Sequence, residues 1–294
     1  IESQSMILDI SKPIDNNYGM ALGMSIQYNK TTLFIMPGVP SEMKHMLRDI
    51  IIPDFIDPIY TKSLNQITLL TTGVYESKLY QLLKATIEKN KNDYKLSFLP
   101  SYVGVKIRLM DIKKDEELFL KFKDSILKKI EKYVYGFNND KIENIVSKLI
   151  KNNNYSLSIA ESCTGGLLSK VITDIGGCSD FYKGSIIAYD NKIKINELGV
   201  SKDTLIDYGS VSKETAIEMA LGIKNKFKTD IAIATTGISG PSGGTVQKPI
   251  GLIYIAVSLK NKVICKKFNL ISNRELHRKI AVHTALNMLR IQLK

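Results

Sequence analysis

The chain has 294 residues, 44% of them hydrophobic and 24% charged, which describes a folded protein with room for two or three domains. No apolar run approaches the ~20 residues that span a bilayer, so no membrane partner is expected. The net charge of +12 comes from lysines scattered among Asn and Ile, without a clustered basic stripe. Nucleic acid is therefore not the expected partner, and a small phosphorylated molecule suits scattered charge and glycine loops better.

Cys163, Cys178 and Cys265 have neither metal nor disulfide spacing, which points to a reducing, cytoplasmic setting. His45, His277 and His283 are too dispersed for a metal cluster.

Residues 1–57 predict strands at Met24–Tyr28 and Leu33–Met36 with a turn at Asn29-Lys30. Ser41 is the expected cap of a helix to about Ile51, ended by Pro53. So few elements bury too little core, and the chain opens on Ile1, so this stretch reads as the remnant of a larger domain. Residues 58–137 predict strand, helix, two strands, helix, a small α+β unit. Its first helix sets Leu79, Leu82, Leu83 and Ile87 on one face; its second, Asp115 to Tyr133, sets Leu118, Phe122, Ile126 and Ile130. Phe137 to Asp140 reads as the linker into residues 138–294, with Asp140 capping the next helix. There the pattern alternates: strand Tyr155–Ala160, helix, strand Gly184–Tyr189, a helix from Asn191, and a helix from Ser212. Strand Asp230–Thr236 follows, then strands Gly251–Ser258 and Val263–Leu270. A capping box Ser272-x-x-Glu275 opens the last helix. The expected fold class is α/β, ending in an α/β sandwich with a mixed sheet.

Four pieces of this last part should meet beyond the strand ends, where open α/β sheets hold ligands. The first is Ser162-Cys163-Thr164-Gly165-Gly166, a polar turn with two glycines between a strand and a helix. Its helix-opening amides favour an anion, although Ser162 or Thr164 could equally be an ordinary cap. The second is Tyr189-Asp190-Asn191 with Lys194. The third is the loop Gly237-Ile238-Ser239-Gly240-Pro241-Ser242-Gly243-Gly244, a candidate anion nest to which Ser239 and Ser242 add hydroxyls. The fourth is Arg274 and Arg278, one helical turn apart and suited to bidentate phosphate contacts. A serine needs a base, and no histidine lies near Ser162, Tyr189 or the Gly237–Gly244 loop in sequence. A lysine of lowered pKa can serve instead. Ser162 is the candidate nucleophile, Lys194 the base, Tyr189 a proton relay or oxyanion partner, and Thr164 an orienting or alternative hydroxyl. Cys163 is intrinsically more nucleophilic but has an apolar flank. Backbone amides could hold the oxyanion, and such a route requires no metal or cofactor.

Ala160 to Gly166, Tyr189-x-Asn191-x-x-Lys194, Gly209-Ser210-Val211-Ser212, Gly237 to Gly244 and Lys248-Pro249-Ile250-Gly251 resemble, in order, the C-terminal domain of CinA proteins. The resemblance implies nicotinamide mononucleotide amidohydrolase activity, giving nicotinate mononucleotide and ammonia, in a homo-oligomer such as a dimer. Gly73-Val74-Tyr75-Glu76-Ser77-Lys78-Leu79 is similar to the start of the family's KH-like domain. Asn16-x-x-Gly19-x-Ala21-x-Gly23 and Met36 to Met43 are similar to the tail of its molybdopterin-binding-like domain. That domain is linked in the family to ADP-ribose pyrophosphatase activity, which would call for a divalent metal. The Gly-Thr-Gly phosphate motif is absent here, and Ser242 stands where many relatives carry an acidic residue. Two rivals are a nucleotide pyrophosphatase centred on residues 1–57 and a non-catalytic RNA- or nucleotide-binding module. The middle unit lacks a basic G-x-x-G loop, which weighs against the latter.

Overall fold

The computed structural model describes residues 7–56 and 65–294. The chain divides into two units, Ile1–Leu64 and Asn65–Lys294; the boundary expected near residue 57 lies outside the described residues.

In the first unit, β1 (Lys12–Ile14), β2 (Gly23–Tyr28) and β3 (Thr31–Ile35) form an antiparallel sheet in that order. Asn29 takes a left-handed φ of 53° in the expected hairpin turn. Strand β1 was not anticipated, because three residues containing Pro13 carry no period. Helix α1 (Pro40–Met46) starts after Val39 with Pro40 in its first turn, so Ser41 lies inside the helix and is not its cap. Nor does Pro53 end the winding, which continues as a wider π-type helix over Leu47–Ile56. Ile51 is buried there and Phe55 meets Phe34 edge-on at 5.1 Å. That packing outweighs one missing backbone donor.

The second unit holds two sheets. The first has strand order β5-β6-β4-β7, all antiparallel: β4 (Gln66–Thr71), β5 (Tyr94–Ser101), β6 (Gly104–Asp111) and β7 (Val134–Phe137). Helices α2 (Glu76–Asn90) and α3 (Glu116–Ile130) cover it, with Leu79, Leu83, Phe119, Phe122, Ile126 and Ile130 in the core. Phe119, not the predicted Leu118, faces inward: Asp115 caps the amide of Leu118, and this sets the helix register. The second helix also stops earlier than its apolar period suggested. A 3₁₀ turn follows, and Val134–Phe137 becomes a strand on β4, too short to announce itself in sequence. Asp140 caps nothing in α4 (Ile142–Asn152); its carboxylate accepts the Phe137 amide and closes the turn after β7.

The second sheet has order β12-β11-β10-β8-β9. Strands β8 (Leu157–Glu161), β9 (Tyr182–Ile187) and β10 (Ile231–Gly237) run parallel, while β11 (Leu252–Leu259) and β12 (Lys262–Asn269) are antiparallel to their neighbours. The buried strands β8 and β10 alternate large and small residues. Ile159, Ile231 and Ile233 join the core under α4, α5 (Leu167–Thr173) and α9 (Arg274–Leu293). Ala160, Ala232 and Ala234 lie in the opposite core with α6 (Asn191–Leu198) and α8 (Lys213–Phe227), between which the chain forms the short α7 (Lys202–Asp207). Small side chains on that face admit α8 closely. The result is a three-layer α/β sandwich with a mixed sheet, the class expected from the alternation.

From β8 the chain first crosses to β9 on one side and later returns to β10 on the other. Their parallel ends share one edge: Glu161 is in register with both Ile187 and Thr235. Gly237 pairs with Ile253 at the start of β11, and Leu252 with Asn269 at the end of β12. All the loops of interest therefore leave the same sheet edge, at the point where the direction of crossover switches.

Candidate functional site

The turn after β8 is built by a residue absent from the candidate list. Glu161 is fully buried in a strand, and its carboxylate reaches forward over the turn. One oxygen accepts the Gly166 and Leu168 amides at 2.9 and 3.1 Å; the other accepts the Ser169 amide and hydroxyl at 2.8 and 2.5 Å. The anion at the α5 start is therefore the chain's own. Gly166, with φ of 90°, is the N-cap, so neither Ser162 nor Thr164 caps that helix. Gly165, at φ 56°, donates its amide to Ser162 O, and Leu167 donates to Thr164 O. The Gly165 and Gly166 amides assigned to an external phosphate by sequence are spent inside the turn. The Cys163 and Thr164 amides donate to nothing among the described residues.

Ser162 keeps 8% of its surface, and its amide is tied to Thr235 O at 3.0 Å. Thr164 is fully buried, with Oγ1 2.8 Å from Thr235 Oγ1. Cys163 is buried, which pushes its thiol up to about 12 and keeps it protonated. Ser162 and Cys163 keep a little surface, 8% and 6%, and Thr164 keeps none.

Lys194 is 1% exposed on α6, which Asp190 caps. Its Nζ donates to the carbonyls of Ala188 at 2.7 Å and Tyr189 at 3.0 Å. Burial lowers its pKa, opposed by the charge of Asp190. Ala188 in turn donates its amide to Glu161 O at 2.8 Å, so the amine sits beside the strand end that leads into the Ser162–Thr164 turn. Tyr189 lies beyond β9, not within it, and its side chain is 61% exposed. Its hydroxyl accepts from Arg274 Nη2 at 3.4 Å, which places the phenol at the rim.

Helix α9 begins at the same sheet edge, capped by Asn273 and not by the expected Ser272. Arg274 Nη1 donates to Gly240 O at 2.9 Å. Arg278 donates through Nε and Nη2 to Thr164 O at 3.1 and 2.7 Å. Between them, His277 Nδ1 lies 2.9 Å from Ser239 Oγ. Ser239 is thus buried against a histidine and turned away from solvent. Gly240, at φ 75°, Gly243 and Gly244 donate their amides to nothing among the described residues. Gly237 ends β10 opposite Ile253. Neither arginine has a carboxylate partner among the described residues. Two cationic forks, each with N–H groups to spare, therefore stand on one helix face.

The structure brings the four predicted pieces together through these arginine contacts. It adds Glu161, His277 and Thr235. The signal for Glu161 was available: a carboxylate inside an apolar strand must find buried donors. His277 and Thr235 carried no such mark.

The model of the CinA C-terminal domain matches residues 139–293. This chain belongs to the CinA family. Residues 66–136 match the damage-inducible protein CinA KH domain. A CinA-like protein of Amoebophilus asiaticus (strain 5a2) is 40% identical over 293 residues, spanning 96% of this chain and 68% of the relative. One from Cytophaga hutchinsonii is 38% identical over 298 residues, spanning 100% and 71%. Among solved structures, a competence or damage-inducible protein from Enterobacter asburiae matches at TM-score 0.51 and 28% identity, covering 53% of this chain and all of its own. A CinA superfamily protein from Escherichia coli matches at 0.50 and 31%, covering 52% and 92%. CinA membership thus spans both the KH-type sheet and the α/β sandwich. No helix among the described residues is long and apolar enough to cross a membrane.

Proposed function

We propose that this chain hydrolyses the carboxamide of nicotinamide mononucleotide to nicotinate mononucleotide and ammonia. The observation that carries the reading is the environment of Lys194. A neutral amine has two N–H bonds and one lone pair. In that form two backbone carbonyls take up the two N–H bonds and the lone pair is left over, and burial shifts the balance towards it. That is what a general base for a serine requires.

Ser162 Oγ attacks the carboxamide carbon as its proton passes to Lys194. The C–O bond forms, and the oxyanion is met by the Cys163 and Thr164 amides. The C–N bond then breaks, and the proton held by Lys194 leaves with ammonia. Water, deprotonated by the same amine, attacks the acyl carbon; the bond to Ser162 Oγ breaks, Oγ takes the proton back from Lys194, and the carboxylate leaves. The phosphate is held by Arg274, Arg278 and the Gly240, Gly243 and Gly244 amides. Tyr189 closes the rim. Thr164 acts through its bond to Thr235, as an orienting group and not as an alternative nucleophile. Support for the substrate itself comes from the CinA motifs, and the route calls on no metal.

The test is ammonia release from nicotinamide mononucleotide. Ser162→Ala and Lys194→Ala should each lower turnover by at least about 10²-fold. Near wild-type turnover in both removes the mechanism. An inactive wild-type protein removes the function.

A further inference from the structure

Three side chains from the first turns of α9 reach the two loops over the sheet edge. Arg274 takes the Gly240 carbonyl, Arg278 the Thr164 carbonyl, and His277 meets Ser239. A ligand's phosphate accounts for the arginines. It does not account for the histidine, which has no exposed surface and so touches no substrate. Its Nε2 is also buried and makes no hydrogen bond among the described residues. A nitrogen left without a partner weakens a core. Filling space alone is better done by an apolar side chain. What His277 gains is one side-chain contact, to a serine inside the glycine loop, beside a polar contact to the Gly251 backbone.

We infer that His277 is a positioning residue: by holding the Ser239 hydroxyl, it sets the shape of the Gly237–Gly244 loop that receives the nucleotide. The inference rests on the amidohydrolase reading of the site. Chain separation makes the contact informative, since Ser239 and His277 are 38 residues apart. The loop has few other ties. Ile238 is anchored to Leu252, and Gly251 returns to Ile238, but the amides of Gly240, Gly243 and Gly244 have no partner among the described residues. Burial favours the neutral ring, opposed by the Gly251 backbone and reinforced by the Arg274 charge. With Nδ1 as acceptor, the single Ser239 hydrogen points at the ring. Its oxygen then offers only lone pairs to the loop. Buried and bonded to the ring, Ser239 is a strut beneath the anion nest.

The full chain is compared with His277→Leu, which removes the bond, and His277→Asn, whose amide can replace Nδ1. In His277→Leu the KM for nicotinamide mononucleotide should rise about fivefold to tenfold, the size of one hydrogen bond, with kcat nearly unchanged. His277→Asn should restore the wild-type KM. Amide hydrogen exchange gives a readout free of catalysis: peptides within residues 238–250 should exchange faster in His277→Leu and normally in His277→Asn. Wild-type KM and exchange in His277→Leu overturn the inference, as does faster exchange spread across the whole second unit. Should the wild-type protein release no ammonia, the amidohydrolase reading fails on its own. The exchange pattern then decides the positioning role.

Discussion

At Lys194, stability and chemistry pull in opposite directions. The amine is buried on two carbonyls with no carboxylate bonded to it. In the unfolded chain a lysine keeps its proton up to about 10.5, whereas the buried amine gives it up at lower pH. Between those two values the unfolded state binds more protons. Stability therefore rises with pH across that window and is lost as pH falls through it. Lys194→Met removes the ionisable group while keeping an unbranched apolar stem. We expect this variant to melt no lower than wild type at pH 7 and to gain less on going to pH 10. Ammonia release should fall by roughly 10²–10⁴-fold. Thermal melts at the two pH values check the first part; a Tm several degrees lower at pH 7 would mean that the two carbonyl contacts outweigh desolvation.

At the scale of an element, α5 depends on its preceding strand. The helix is short, Leu167–Thr173, and its N-cap is a glycine without a side chain to offer. Glu161 supplies the missing acceptors from within β8, four bonds to one carboxylate. Replacing one oxygen with an NH₂ group sets donor against donor. Glu161→Gln should therefore cost about 2–4 kcal/mol, the sum of two buried donors losing their acceptor. This would be read as a lower urea midpoint at unchanged slope. The same substitution should loosen the turn that presents Ser162, so kcat should drop even where the protein stays folded. A midpoint within error of wild type would show that water can replace the carboxylate.

At the scale of the whole second unit, α9 joins the two sheets. Its first turns grip the loops of the site, and further along His283 meets the Tyr135 ring at 5.5 Å. Near its end Arg290, 1% exposed, donates to Val134 O of β7 at 3.2 Å and to Asn287 Oδ1 at 3.0 Å. Burial, with the Arg290 charge adding, depresses His283 to about 4. Its unfolded value is 6.5, so the unfolded chain takes up the proton first as pH falls. The seam should thus lose stability between pH 6.5 and 4, by up to about 3 kcal/mol and by less where water reaches the ring. His283→Leu should shrink the difference between urea midpoints measured at pH 7 and pH 4.5. An equal pH dependence in both proteins would place the acid sensitivity elsewhere.

The sequence alone determined most strands and helices of the second unit, though not β7 or the short helix Lys202–Asp207, because apolar spacing is a local property. Ile142, Val146 and Ile150 recur as a helix face whatever lies beyond them, and Ala160-Glu161-Ser162 must leave a buried strand for a glycine turn. It also marked most of the residues that gather at the sheet edge, since serines, glycines and paired arginines at strand ends have few other uses. Element ends were less legible: Asp115, Asp190 and Ser212 cap their helices, but Ser41, Asp140 and Ser272 do not. Any short polar side chain is eligible, and the choice falls to the one whose angle suits the incoming chain. Only the tertiary structure decided which polar groups are already satisfied. Glu161 consumes the amides that a phosphate could have used, His277 consumes Ser239, and Thr235 consumes Thr164. Hydrogen-bond capacity is finite, and partners 38 or 71 residues apart along the chain leave no periodic trace. What the folded backbone leaves unspent is therefore what remains for a ligand.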